Sequence, residues 1–259
     1  MDAILKERRD TIATITLSHP ERRNAITAAM WQALKSAFDE LSGDLSLRCV
    51  VVQGAAGHFA GGADIAEFPQ VRGDRERLRA YHEQIIAPAL NAISACPHPT
   101  LAKIEGVCIG GGLEIAGRCD LRICATSARL GVPINRLGFP MAPDELAGLL
   151  SLVGRAVTLE LLLEGRILSA AESLARGLVT RVVEDGAIET ETGSTAKRIA
   201  EAAPIAARMN KALIARLCNN PDPLSADERA AAFSYADTRD HQEGVSAFLE
   251  GRTPSFRGH

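Results

Sequence analysis

Two glycine-rich segments carry the residue types from which a reactive site is built. Phe59-Ala-Gly-Gly-Ala-Asp-Ile65 follows the apolar run Arg48–Gln53, and Gly106-Val-Cys-Ile-Gly-Gly-Gly-Leu-Glu114 follows Thr100–Ile104. Each reads as a strand that runs into glycine-rich backbone and then opens a helix. Such a turn leaves backbone N–H groups without partners and pointing outward. Glycine lets a ligand approach the backbone closely, and helix N-termini favour negative charge. Phosphate is one guest of that kind. However, neither segment carries the Gly-Lys-Ser/Thr of a P-loop, nor GxGxxG with an acidic residue about 20 positions on. The other guest is a carbonyl oxygen that gains charge during reaction, since two N–H groups converging from two turns make an oxyanion hole. Each cluster alone also fits plain close packing of helix on strand. Glu114 lies three residues after Gly111, about one helical turn away. There burial raises a carboxyl pKa and the helix N-terminus lowers it. Glu114 reads equally well as a favourable first-turn charge.

The elements that must hold these segments are visible in the periodicity. Thr11–Leu17 alternates and is rich in β-branched residues, so it reads as a strand, ended by Ser18-His19-Pro20. Thr27 is placed to cap a helix in which Met30, Leu34, Phe38 and Leu41 recur at helical spacing. Arg48–Gln53 suits a buried strand, and 54–63 a loop. Arg75–Ser94 reads as an amphipathic helix that Pro88 kinks or interrupts. Thr100–Ile104 and Leu121–Ala125 are further strands. Beyond Pro143 the pattern turns helical, with capping boxes at Ser169–Glu172 and Ser225–Glu228. Gly177 suits the position just past a helix end, before the strand-like Leu178–Val183. Alternating strands and helices predict an α/β core with right-handed crossovers. The chain divides at about residue 195, into a core (1–195) and a helical C-terminal region (196–259).

Composition excludes several classes. With 29 basic and 32 acidic residues the 259-residue chain has a formal charge of −3, so no bulk attraction to nucleic acid is expected. Aromatic residues are scarce at 4%, which argues against base-stacking platforms. Six cysteines show no CxxC spacing, and all but Cys218 lie in apolar stretches. They read as buried free thiols of a reducing compartment. Lys6, Glu7, Arg8 and Arg9 precede any apolar run, which argues against a secretory leader. No stretch is expected to approach the roughly 20 apolar residues of a membrane span. The expectation is a cytoplasmic protein that engages neither membrane nor nucleic acid. His19, His58, His82 and His98 show no metal-ligand spacing, so no metal is expected. Ser127 and Ser151 lack a GxSxG setting.

Several spaced motifs occur in one order: Pro20-Glu-Arg-Arg-Asn-Ala25, Phe59–Ile65, Gly110-Gly-Gly-Leu-Glu114, Cys119-Asp120, Gly154-Arg155 and Glu243-Gly-Val-Ser-Ala-Phe248. On these the whole chain resembles the crotonase (enoyl-CoA hydratase/isomerase) superfamily. The resemblance implies the ClpP/crotonase-like α/β fold of repeated ββα units, with two roughly perpendicular sheets. It implies a C-terminal helical region that forms a homotrimer or homohexamer and contacts CoA. It also implies that the Ala63 and Gly111 N–H groups bind an acyl-CoA thioester oxygen, with Glu114 as general acid/base. Gly61, Asp64, Ile65 and Gly110, with Asn24, Ala25 and Phe248, then line the acyl-CoA path. Arg22 and Arg23 are the nearest phosphate contacts, and otherwise read as surface arginines. Arg72, Arg75, Arg77 and Arg79 alternate with Asp74 and Glu76, as on a solvated helix face. No cofactor is implied, since CoA belongs to the substrate.

One landmark departs from the pattern. Hydratases of this family carry a second glutamate after a Pro some twenty residues beyond the first, and here Pro133 is followed by Ile134. Syn-addition of water needs one group to activate the water and one to protonate the α-carbon. Glu114 alone would handle both protons, or Asp144 or Glu145 would supply the second carboxylate. Glu67 is a weaker choice. Asp144 and Glu145 also read as ordinary first-turn charges after Pro143. The expected activity is enoyl-CoA hydration. Enoyl-CoA isomerisation, acyl-CoA hydrolysis and acyl-CoA binding without turnover stand as alternatives because of Ile134.

Overall fold

The computed structural model describes residues 3–259. Its strands are β1 (Ala3–Arg9), β2 (Ile12–Ser18), β3 (Cys49–Gly54), β4 (Thr100–Ile104), β5 (Val107–Ile109), β6 (Leu121–Ala125), β7 (Arg129–Gly131), β8 (Ile167–Ser169) and β9 (Arg181–Val183). Six form one sheet in the order β1-β2-β3-β4-β6-β9, and β5-β7-β8 form a second. β1 and β2 pair antiparallel, whereas β2, β3, β4, β6 and β9 run parallel. Parallel strands need long crossovers, which here are helical and loop segments over both faces. β3 shows why its sequence is uninterruptedly apolar. Val50 and Val52 enter one core, while Cys49 and Val51 enter a second on the opposite face.

The helices are α1 (Ala28–Gly43), α2 (Phe68–Val71), α3 (Arg75–Ala80), α4 (Ala87–Ala95), α5 (Gly111–Arg118), α6 (Pro143–Glu164), α7 (Ala170–Ala175), α8 (Ile188–Glu201), α9 (Pro204–Asn219), α10 (Ala226–Ala231) and α11 (Arg239–Glu250). Thr27 caps α1 through Met30 N–H at 3.2 Å. Both capping boxes form, and Gly177 lies just past α7 with φ 75°. The five cysteines expected inside are buried, and Cys218 is exposed. The helix expected over Arg75–Ser94 is present but interrupted. A π-helical turn, Tyr81–Ile86, joins α3 to α4 one turn before Pro88. Proline has no N–H to return to the preceding turn, so the ladder loosens there.

The structure revises one expectation and adds detail to two other regions. The boundary at 195 falls inside α8, whose Ile188 and Ala196 pack against Cys49, Val51, Leu101 and Ile123. α8 therefore packs on the core, and a division at 195 would cut through a helix. The charged N-terminal segment forms β1, because an edge strand of a sheet keeps one side in water. α6 is long and apolar enough, by length and composition, to meet the criterion for a membrane span. Its backbone breaks at Gly154 (φ 71°, ψ 176°), which leaves two pieces each about 15 Å long, half a bilayer core.

Candidate active site

The two glycine-rich segments come together at the ends of β3 and β5. Two single bridges set their register, Ala60 with Cys108 and Ile26 with Ala63. The Ile26–Ala63 bridge uses the Gly62 carbonyl (2.7 Å) and the Asp64 N–H (2.9 Å), so the Ala63 N–H takes no part in it. Gly111 opens α5, where first-turn N–H groups have no intrahelical acceptor. Each of these donors follows a glycine with positive φ, Gly62 at 102° and Gly110 at 52°. That conformation turns the next N–H outward and strains any other residue. The donors are close neighbours, since a Cβ on Gly111 would stand 3.7 Å from Ala63 N and 2.9 Å from the Trp31 ring.

Ala63 and Gly111 line a pocket that also receives Gly61, Ile65, Gly110, Glu114, Ile134 and Glu145. Glu114 stands in the first turn of α5. Burial pushes its carboxyl up to about 8, Glu145 adds to the rise, and Arg72 and Arg118 oppose it. Glu145 is 3% exposed, and His82 Nδ1 lies 2.9 Å from its Oε1. The second oxygen, Oε2, has no hydrogen-bond partner. A buried carboxylate with one oxygen fixed and one free is placed to take a proton from a guest. Ile134 adds only apolar wall.

Other residues expected here do other work. Asp144 is exposed, and α6 turns it away from the wall that Glu145 joins. Glu67 accepts the Ala28 N–H at 2.7 Å and so caps α1. Asn24 is buried, and its side chain binds the His19 N–H and the Ala55 and His58 carbonyls at 2.7–2.9 Å. It holds the loop and has no free group for a ligand. Asp64 caps the turn at Ala66 and pairs with Arg22 at 3.1 Å. Arg23 adjoins the pocket wall, since its carbonyl accepts the Gly61 N–H at 2.8 Å, whereas the Ala25 carbonyl is bonded to His19 Nδ1 at 2.9 Å. Phe248 lies on α11 in a separate apolar groove with Ala203, Tyr235 and Phe256. Among the described residues, this chain alone does not bring Phe248 to the pocket.

Sequence reasoning misses His82 and Arg72. His82 reads as one of several scattered histidines, since its partner lies 63 positions away. Arg72 reads as part of a solvated helix face, yet it ends α2 and packs on Phe68.

The chain matches the model of the enoyl-CoA hydratase/isomerase family over residues 7–259. It belongs to that family. A solved enoyl-CoA hydratase/carnithine racemase from Magnetospirillum magneticum superposes with a TM-score of 0.97 at 46% identity, covering 100% of this chain and 97% of that one. Enoyl-CoA hydratase from Bacillus anthracis does so at 0.89 and 28%, covering 99% of each. A protein of Mycobacterium tuberculosis described as probable enoyl-CoA hydratase echA8 is 34% identical over 257 residues, 98% of each chain. The fold is accordingly the crotonase fold of this family.

Proposed function

We propose that this member is an enoyl-CoA hydratase, in which Glu145 takes the place of the carboxylate absent at Ile134. One observation carries the reading: Glu114 and Glu145 share a pocket with the Ala63 and Gly111 N–H donors. The thioester oxygen would accept both N–H bonds. Water would approach C3 of the 2-enoyl group beside Glu145, whose Oε2 is free to accept a proton. Oxygen bonds to C3, the double-bond electrons move toward the thioester oxygen, and an enolate forms. The two N–H groups strengthen as that charge grows, each contributing about 3–4 kcal/mol to the transition state. Glu114, protonated below about pH 8, delivers hydrogen to C2. The product is a 3-hydroxyacyl-CoA, and the proton taken by Glu145 restores Glu114. His82 orients Glu145 through Oε1.

Arg22 and Arg23, exposed beside Gly61, would meet the phosphates of CoA. No cofactor is needed beyond the CoA of the substrate. The exposed Phe233, Phe248 and Leu249 of the C-terminal region support a homotrimer or homohexamer. Five buried unpaired thiols support a reducing compartment such as the cytoplasm.

Mass spectrometry of crotonyl-CoA and longer 2-enoyl-CoAs tests the reading. A gain of one water that falls at least 100-fold in Glu114→Gln is expected. Isomerisation of 3-enoyl-CoA or release of free CoA thiol, without hydration, would replace it.

A further inference from the structure

One charged group of the pocket has no task in that reaction. The Arg72 guanidinium lies 3.9 Å from the centroid of Phe68 and 5.0 Å from those of Tyr81 and Phe139. Phe68 and Phe139 themselves meet edge to face at 6.2 Å. In a chain with seven Phe and two Tyr, this gathers three rings around one cation. Rings hold a guanidinium by its faces and leave its edge N–H groups for a planar acceptor. Among the described residues Arg72 makes no ion pair, and its buried Nε has no hydrogen-bond partner. The Glu114 and Glu145 carboxyls favour its charge from a distance, but neither forms an ion pair with it. Glu114 is held toward its uncharged form, and Glu145 is bonded to His82. Burial disfavours the charge on Arg72. A cation without an ion-pair partner in a largely apolar wall is costly until an anion reaches it.

We infer that the acyl group taken by this pocket ends in a carboxylate, which Arg72 binds side-on through its N–H edge, where Nε has no partner. The thioester end is fixed by the Ala63 and Gly111 donors, so this rests on the hydratase reading for the placement of the acyl chain. The far end of the chain then meets the remaining walls of the same pocket, and Arg72 is one of them. A carboxylate fits because guanidinium and carboxylate match as two parallel hydrogen bonds. A site built for such a pair rejects the analogue that lacks it.

The test compares 2-enoyl-CoAs of five and six carbons that end in a carboxylate with their methyl esters. In the natural protein kcat/KM should favour the acids at least tenfold. Arg72→Met should bring that ratio to about one, and Arg72→Lys should retain part of it. Equal rates for acid and ester in the natural protein, or the same ratio in Arg72→Met, would overturn the inference. If no enoyl-CoA is hydrated at all, the hydratase reading has failed. Calorimetry with glutaryl-CoA and its methyl ester then decides the Arg72 proposal alone. Tighter binding of glutaryl-CoA that Arg72→Met removes supports it, and equal binding overturns it.

Discussion

Glu114 carries a carboxyl near 8 in a pocket that also holds Glu145. Burial and the neighbouring Glu145 both push Glu114 upward. The reaction needs Glu114 protonated, so turnover should fall as pH rises through about 8. The same shift bears on stability. A carboxyl whose folded pKa is raised favours the folded state fully below its unfolded pKa near 4.5, and this is lost as pH rises through 8. Glu114→Gln should therefore unfold like the natural protein near pH 4.5 and be more stable above pH 8, by up to about 5 kcal/mol in denaturant titrations. Equal stability at both pH values would contradict the burial of that charge. Glu114 and Gly111 are legible because spacing along one helix is local information. Asp144 and Glu145 are adjacent, and nothing in their spacing separates them. The 100° step of a helix sends one to solvent and the other beside His82. Arg72 and its three rings are illegible, because Phe139 joins them from 67 positions on.

The elements serve the site mainly by what they do at their ends. Gly110 adopts φ 52° where β5 passes into α5, and Gly111 follows it on the pocket wall. A Cβ there has room, since its nearest neighbour would be Gly62 Cα at 3.7 Å. The cost of Gly110→Ala is thus backbone strain, about 1–2 kcal/mol in stability. Turnover should fall further, at least tenfold, because the donor is re-aimed. An Ala variant with reduced Tm and undiminished turnover would show that the Gly111 N–H is not used. The π-helical turn Tyr81–Ile86 works similarly, and places His82 and Ile86 on the pocket wall. The long strands and α1 are legible from periodicity and capping. β5, β7 and β8 are not, because three residues carry no periodic signal and take their identity from their neighbours.

At the scale of the whole molecule, the C-terminal region makes polar contacts with the core while several of its large apolar side chains face outward. Arg48 binds the Phe256 carbonyl at 2.6 Å, Arg208 binds the Leu45 and Leu47 carbonyls at 2.7 and 3.0 Å, and Lys211 binds Asp120 at 2.7 Å. Phe248 is 85% and Leu249 78% exposed. Sedimentation should give a trimer or hexamer, and Phe248→Asp with Leu249→Asp should shift it toward monomer. A monomeric natural protein would contradict that assembly. Net charge says little about an anionic ligand, because backbone N–H groups and single arginines are invisible in a sum. The central claim joins distant parts of the chain, since Glu145 must do what the residue at Ile134 does not. Crotonyl-CoA hydration by Glu145→Gln, measured against the natural protein, tests it most directly. The account predicts that turnover drops at least 100-fold while KM changes little, and undiminished turnover would contradict the claim.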